Sequence, residues 1–210
     1  MKSTLKDLKK YLHMYLNLGR TADGSRILSQ YRVREMCKPR QPYNGNGAYG
    51  YGLSMKQMDD LIIIVHGGSL PGVSSHIAWS YEADAGVIVL CNTSGVPVGL
   101  ISDGLMKVYN GKSPLEKRDT WQETPWSEET RNAAAGTYLS GEGVTVKLYL
   151  KEDGSVGLTE NGTEKPLITV NPCAALVRNP CSDLFLRLIS DEERGIFAIA
   201  YGSRMIPRIQ

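Results

Sequence analysis

The stretch LIIIVHGGSLPGVSSHIAWSYEADAGVIVLCN occupies residues 61–92 and carries the strongest structural signal in the chain. It opens with the apolar run 61–65, which ends at His66, Gly67 and Gly68. A Pro-Gly pair then leads into further apolar runs, a pattern that predicts consecutive β-strands joined by short turns. Paired glycines beside a strand allow another backbone or a ligand to approach closely, with His66 facing it from a sheet edge.

Around this stretch, hydrophobic periodicity predicts an antiparallel sheet with helices packed against it. Strands are predicted at 49–57, 60–66, 74–81 and 86–92. Helices are predicted at 4–18, 27–37 and 97–109, with a loop between residues 39 and 47. Because two of the strands are nearly continuous apolar runs, we expect helices to cover both faces of the sheet.

The rest of the chain has a different pattern. Polar residues and prolines mark 111–132 as a linker, and Trp121 and Trp126 are interpreted as anchors that hold it to a domain. After the linker, apolar and polar residues alternate and turn signals recur about every 8–12 residues. This pattern predicts a small antiparallel β-barrel or sandwich over 133–210.

Composition narrows the possible functions. The 210 residues carry 24 Lys and Arg against 22 Asp and Glu, and the net charge of +2 is too balanced for a nucleic-acid-binding surface. The longest apolar run falls far short of the roughly 20 residues that a membrane span requires. The first residues lack the apolar stretch of a signal peptide, which favours a cytoplasmic location.

Four cysteines and three histidines offer no C-x-x-C pair, so neither a metal nor a cofactor is predicted. Cys173 and Cys181 are spaced to meet across a hairpin and form a disulfide. The alternative is that both remain free thiols in a reducing compartment.

Residues 3–110 resemble the C-terminal half of the serine β-lactamase and penicillin-binding protein superfamily. Within it, they are most similar to the class C β-lactamase, D-aminopeptidase and esterase branch, known as peptidase family S12. The likeness is carried by the segment 49–53, by His66-Gly67-Gly68 as the His form of a K/H-x-G triplet, by the next two strands and by the helix at 97–109. The resemblance implies an α+β fold with a partial antiparallel sheet and flanking helices.

The resemblance also implies the chemistry, which is hydrolysis of an amide or ester through an acyl-serine. His66 is then a substrate contact, Gly67 and Gly68 permit close approach, and the backbone N–H of Ser69 completes the oxyanion hole. The family nucleophile is the Ser of S-x-x-K, and the Tyr of Y-x-N assists proton transfer. The implied substrates are a D-amino-acid peptide, a β-lactam or a small ester.

Both of those triplets occur as strings, at 3–6 and at 15–17. They fall within one predicted helix, whereas the family separates them by many tens of residues. Ser3 and Thr4 are better explained as helix-cap residues, and Tyr15 as part of the apolar face. A compact enzyme that uses Ser3 and Lys6 is therefore the least favoured alternative.

The predicted organisation has three parts. Residues 1–110 form the C-terminal portion of a β-lactamase/transpeptidase-like domain, 111–132 a linker, and 133–210 a β-barrel that loosely resembles lipocalin-like barrels appended in relatives of the superfamily. We therefore predict a serine hydrolase fragment that is inactive alone because it lacks the nucleophile. The alternative is a non-catalytic binding or assembly module. In either case, we expect a partner chain or self-association to cover the open sheet edge of strands 49–92.

Overall fold

The computed structural model describes residues 3–44, 47–115, 121–179 and 183–210. Contacts within the chain divide it into two units, one formed by residues 1–42 and 46–117 and the other by residues 118–210 together with 43–45. Across the described ranges the fold is α+β, with four helices and three antiparallel sheets. None of the helices in those ranges combines the length and the hydropathy needed to span a bilayer.

The first unit contains a sheet whose strands follow one another in chain order. Its helices are α1 (Leu5–Leu16), α2 (Gln30–Met36) and α3 (Val98–Tyr109). Its strands are β1 (Gln41–Asn44), β2 (Gly47–Tyr49), β3 (Ser54–Met58), β4 (Leu61–Leu70), β5 (Val73–Ser80) and β6 (Ala85–Cys91). Each strand therefore pairs with its neighbour in sequence, as short connections between antiparallel strands favour.

Capping residues set the ends of α1. The hydroxyl of Thr4 accepts a hydrogen bond from the N–H of Asp7 at 3.2 Å and donates to the carboxylate of Asp7 at 2.9 Å. At the other end, Leu18 adopts φ +50° and the N–H of Gly19 reaches the carbonyl of Met14 at 2.8 Å. This is a Schellman arrangement, which satisfies carbonyl groups that the helix itself leaves open. Thr4 is thus the cap that the sequence predicts, and α1 ends two residues before the predicted bound.

Helices cover both faces of the sheet, as predicted. One core lies under α1 and α2, and it contains Leu12, Met14, Tyr15, Val33, Leu53, Met55, Ile64, Ile77 and Trp79. The core under α3 lies on the opposite face, and it contains Leu61, Ile63, Val65, Ala78 and Met106. Successive residues of β4 thus alternate between the two cores, because neighbouring side chains of a strand point to opposite faces.

The strand β4 is longer than predicted. The sequence predicts a strand end at residue 66 and a loop after it, but β4 runs through both glycines to Leu70. The chain then turns at Pro71 and Gly72, and Leu70 pairs with Val73 of β5. Gly72 has φ +86°, a conformation that glycine adopts at this position of a tight turn. The paired glycines therefore belong to the ladder.

The region before β4 also differs from the prediction. The expected loop between residues 39 and 47 contains β1, and the expected strand 49–57 is interrupted. The N–H of Gly50 bonds to the carbonyl of Leu53 at 2.7 Å, which closes a turn between β2 and β3. A Cβ on Gly50 would lie 2.4 Å from the carbonyl oxygen of Met36, so this turn requires glycine.

The second unit is built mainly from strands. Its helix is α4 (Glu128–Ala134). Its first sheet contains β7 (Gly136–Leu139), β8 (Thr145–Leu150), β9 (Val156–Glu160) and β10 (Thr163–Lys165). Its second sheet contains β11 (Leu167–Asn171), β12 (Ala174–Val177), β13 (Leu184–Asp191), β14 (Gly195–Tyr201) and β15 (Arg204–Pro207).

The predicted barrel is not confirmed, because no closed ladder is found among the described strands. The two sheets meet beside β7, where Tyr138 and Arg208 form an isolated bridge and the N–H of Thr137 donates to the carbonyl of Gln210 at 2.9 Å. Only Pro166 separates β10 from β11, and it has no N–H with which to continue a ladder. The described part of this unit is therefore two antiparallel sheets around a shared core.

Trp126 anchors the segment before α4, as predicted. Its side chain is only 2% exposed, and its indole N–H donates to the carbonyl oxygens of Asn171 at 2.9 Å and Ala174 at 3.3 Å. Nearby, the N–H of Thr124 donates to the carbonyl of Thr169 at 2.8 Å. This part of the predicted linker is thus fixed to the second unit.

Side chains close the C-terminal end of α4. The guanidinium of Arg208 donates to the carbonyls of Ala133 at 2.8 Å and Ala135 at 2.6 Å, and the hydroxyl of Tyr138 donates to the carbonyl of Ala134 at 2.8 Å. The last carbonyls of a helix have no partners within it, and a cation there is also favoured by the helix dipole. Arg208 and Tyr138 therefore tie α4 to the strands.

We expect Arg208→Met to lower the free energy of unfolding of the second unit by about 2–4 kcal/mol, because carbonyls at the end of α4 lose charged donors. Urea unfolding followed by circular dichroism measures this change. Arg204→Met is the matched control, since Arg204 pairs with Glu142 on the exposed surface. The control should lose about 0.5 kcal/mol or less, and equal losses in both variants would contradict the role of Arg208.

Candidate functional site

The predicted site residues are adjacent at the exposed end of β4. They are His66, Gly67, Gly68 and Ser69. The pairing of β3 with β4 stops at Val65, which lies opposite Ser54, whereas β5 continues along β4 as far as Leu70. Beyond Val65, one edge of β4 is therefore open within the described sheet. Alternate residues there direct backbone N–H and C=O groups toward this edge, where an extended ligand can bind.

The imidazole of His66 lies on an exposed and partly apolar surface. His66 lies on the face of the sheet that α1 and α2 cover nearer the start of β4, and it pairs with Ile77 of β5. On the same face, Leu70, Val73 and Leu90 are 68%, 47% and 45% exposed. The surface around His66 therefore combines a polar imidazole with uncovered aliphatic side chains.

Serine hydroxyls stabilise the hairpin formed by β4 and β5. Ser75 donates to the carbonyl of Gly68 at 3.2 Å, and Ser69 donates to the carbonyl of Val73 at 3.3 Å. A Cβ on Gly68 would lie 3.3 Å from the hydroxyl oxygen of Ser75. The glycine thus makes room for the cross-strand hydroxyl as well as for a ligand on the open side.

On the other face of the sheet, His76 lies in a slot between two glycines. It is directly opposite Gly67 in the β4–β5 ladder. A Cβ on Gly67 would lie 3.1 Å from Cδ2 of His76, and a Cβ on Gly99 of α3 would lie 3.8 Å from its Nε2. The Nδ1 atom is buried and makes no hydrogen bond to the described residues.

An ion pair accompanies His76 beneath α3. Lys56 of β3 and Asp103 of α3 are 2.5 Å apart, and both side chains are largely shielded from solvent. Burial lowers the pKa of His76, the charge of Lys56 lowers it further, and Asp103 partly offsets both effects. His76 is consequently neutral at physiological pH.

Sequence reasoning missed Lys56 and Asp103. A signal for Asp103 is present in the sequence. On the predicted helix, Asp103 lies on the same face as Gly99, four residues before it, and Met106, three residues after it. A carboxylate on the inward face of an amphipathic helix requires a partner, which here is Lys56.

The two strings in the first helix do not form a site. Tyr15 is buried, its ring stacks on Trp79 with centroids 4.7 Å apart, and burial raises its pKa well above the usual range. At about 1.5 Å per helical residue, Ser3 lies about 18 Å from Tyr15 along the axis of α1. The two side chains cannot act on one substrate group.

The described residues contain no group of three or more His, Cys, Asp or Glu side chains arranged to hold a metal ion. Cys173 is an exposed free thiol. Cys181 lies outside the described residues, so the pairing of these two cysteines stays a prediction.

Neither a protein-family model nor a curated protein sequence matches the chain. Solved structures do match its fold. A crystal structure of SurE with D-Leu aligns with 93% of this chain and 48% of that chain, with a TM-score of 0.65 and 16% identity. Another SurE structure aligns with 87% of this chain and 42% of that chain, with a TM-score of 0.64 and 15% identity.

The octameric penicillin-binding protein homologue from Pyrococcus abyssi aligns with 97% of this chain and 46% of that chain, with a TM-score of 0.50 and 21% identity. This chain therefore spans a little under half the length of each of these proteins. At such identities the likeness shows the fold alone. The fold is thus similar to that of a penicillin-binding protein homologue, while the superfamily, the peptidase family and the lipocalin-like barrel stay predictions.

We expect Gly67→Ala to lower the free energy of unfolding of the first unit by about 1–3 kcal/mol, because the new methyl group meets His76. In the double variant with His76→Ala, the loss should be smaller than the sum of the single losses by at least about 0.5 kcal/mol. Urea unfolding of all three variants measures this coupling.

Gly99→Ala is the matched control, since its added methyl faces the same imidazole at the ordinary contact distance of 3.8 Å. As a helical residue it should be neutral or stabilising by up to about 1 kcal/mol. A loss as large as that of Gly67→Ala, or strict additivity in the double variant, would contradict the slot.

Proposed function

We propose that this chain supplies the C-terminal part of a serine hydrolase of the β-lactamase and penicillin-binding protein kind, and that it is inactive alone. The observation that carries this proposal is the exposed end of β4, where an open backbone edge lies beside His66. An acyl-serine mechanism needs such an edge, because backbone N–H groups there can stabilise the oxyanion of the tetrahedral intermediate.

Each predicted site residue has a distinct role in this proposal. His66 contacts the polar group of the substrate, Gly67 and Gly68 let the acyl group approach the strand, and the backbone N–H of Ser69 donates to the oxyanion. The nucleophilic serine, its lysine and the assisting tyrosine come from another polypeptide segment. No metal or cofactor takes part.

We propose a D-amino-acid peptide, a β-lactam or a small ester as the substrate. The D-amino-acid class is favoured by the structural neighbour SurE with D-Leu. The aliphatic surface formed by Leu70, Val73 and Leu90 lies on the same face as His66 and suits an apolar side chain. A small ester requires only the oxyanion donor and the nucleophile, and so it is the least demanding of the three.

The segment that brings the nucleophile also covers exposed parts of the first unit. Within the described sheet, β6 pairs only with β5, and its sequence AGVIVLC contains no charge. An unpaired strand of this kind is a template for another strand. Beside it, α3 exposes Ile101, Leu105, Val108 and Tyr109. We propose that a strand and a helix of the completing segment pack here, and the shorter length of this chain relative to its neighbours supports this.

The alternative is a non-catalytic binding or assembly module that kept the scaffold. The same β4 edge would then bind an extended peptide without reaction. The two possibilities differ in whether a covalent acyl adduct forms once the completing segment is present.

The catalytic proposal is tested with this chain alone and mixed with a polypeptide encoded next to it that carries an S-x-x-K helix. Both samples receive an activated D-amino-acyl ester and a chromogenic β-lactam, and mass spectrometry detects acylation. We expect no adduct on this chain alone, and turnover with an adduct on the added serine in the mixture. His66→Ala should reduce turnover about 100-fold, whereas the exposed His13→Ala should leave it unchanged.

An adduct on this chain alone that disappears in Ser3→Ala would overturn the proposal. Peptide binding by the mixture without any adduct would overturn it in favour of the binding module.

The open edge gives a second test. Alone and at high concentration, the chain should associate through β6, as measured by size-exclusion chromatography with light scattering. Leu90→Lys should shift it toward the monomer, because a charge on an edge strand opposes pairing. Leu150→Lys is the control, since Leu150 is similarly exposed at 44% but lies on β8, between two other strands. A monomeric unmodified chain would contradict this expectation.

A further inference from the structure

We infer that His76 is a positioning residue whose imidazole, seated between Gly67 and Gly99, holds the free end of β4 against α3 and so orients the backbone N–H of Ser69. The role of Ser69 as oxyanion donor rests on the proposed function. The support that His76 gives to β4 is inferred from the positions of Gly67, His76 and Gly99 alone.

At its end, β4 is held from one side only. Past Val65 it has no β3 partner in the described sheet, and β5 alone supplies its ladder. With one ladder missing, the contacts on the faces of the strand gain weight in fixing its position. Gly67 supplies no side chain of its own there, and the ring of His76 fills the space in its place.

His76 also links this end of β4 to a firmly held helix. Its Nε2 lies 3.8 Å from the place that a Cβ on Gly99, in the first turn of α3, would occupy, so the ring is next to the helix backbone. The same helix is joined to the sheet by the pair of Asp103 with Lys56 and by the fully buried Met106. The ring therefore transmits the position of α3 to the strand that carries Ser69.

Charge also acts on the slot. Lys56 from β3 and Asp103 from α3 lie on the same face of the sheet as His76, and His66 of β4 acts on it from the opposite face. Burial lowers the pKa of His76, Lys56 and His66 act in the same direction, and Asp103 opposes them. Below the ordinary histidine value of about 6.5, the unfolded chain takes up the proton before the folded one. Acidification therefore weakens the slot, and it is intact when His76 is neutral.

The test is an NMR titration of this chain from neutral to acidic pH, carried out in the His66→Gln background so that the neighbouring imidazole does not contribute. We expect the ring of His76 to titrate below about 6.5, and the amide signals of Gly68 and Ser69 to shift with the same midpoint. Asp103→Asn should lower that shared midpoint, because it removes the negative charge that favours protonation.

Two substitutions separate packing from charge. His76→Phe should keep the slot filled, so the amides of the β4–β5 ladder at this end of β4 retain slow hydrogen exchange while the pH-dependent shift disappears. His76→Ala should empty the slot and speed exchange of these ladder amides by about tenfold or more. His13→Ala, at an exposed position of α1, should change neither measurement.

Amide signals of Gly68 and Ser69 that stay constant through the His76 titration would overturn the inference, as would unchanged exchange of the ladder amides in His76→Ala. The titration requires no substitution at His76, so it remains decisive if a slot variant fails to fold. It also requires no catalysis. Absence of an acyl adduct in the mixture would therefore count against the proposed function, and only these NMR results would count against the positioning role.

Discussion

The first unit depends on the fact that β3 stops alongside β4 while β5 continues. This difference in length leaves the last part of β4 with a ladder on one side and an open edge on the other. The glycines, the serine hydroxyls of the hairpin and the ring of His76 all act on that part of the strand. Together they keep it extended and accessible, the two conditions that recognition by a strand edge requires.

Local patterns in the sequence predicted the helices of the first unit, its antiparallel strands and the cluster from His66 to Ser69. They did not predict that β4 continues through its glycines, because glycine pairs usually mark loops and the opposing β5 lies further along the chain. The position of His76 opposite Gly67 follows only from the register of that ladder. The support of the candidate site was therefore hidden in the register of a hairpin, while its polar residues were visible in the sequence.

The second unit shows the same limit in another form. Alternating residues predicted its strands, but alternation alone does not tell whether a set of strands closes. That depends on the corner at Pro166 and on how the chain end meets β7. Arg208 lies far from α4 in the sequence, and Tyr138 belongs to the strand that follows it. Only the structure shows that both side chains satisfy carbonyls at the end of α4.

The uncharged composition of β6 has a consequence for specificity. Val87, Ile88 and Val89 are so alike in shape that an incoming strand displaced by two residues along β6 would keep nearly the same contacts. Strand pairing by itself is thus degenerate in register, since such a shift leaves every side chain on its original face. The exposed stripe of α3 repeats with helical rather than strand spacing. A partner that binds β6 and the stripe of α3 at the same time fits both in a single alignment. The contact with α3 therefore determines the register in which the partner pairs with β6.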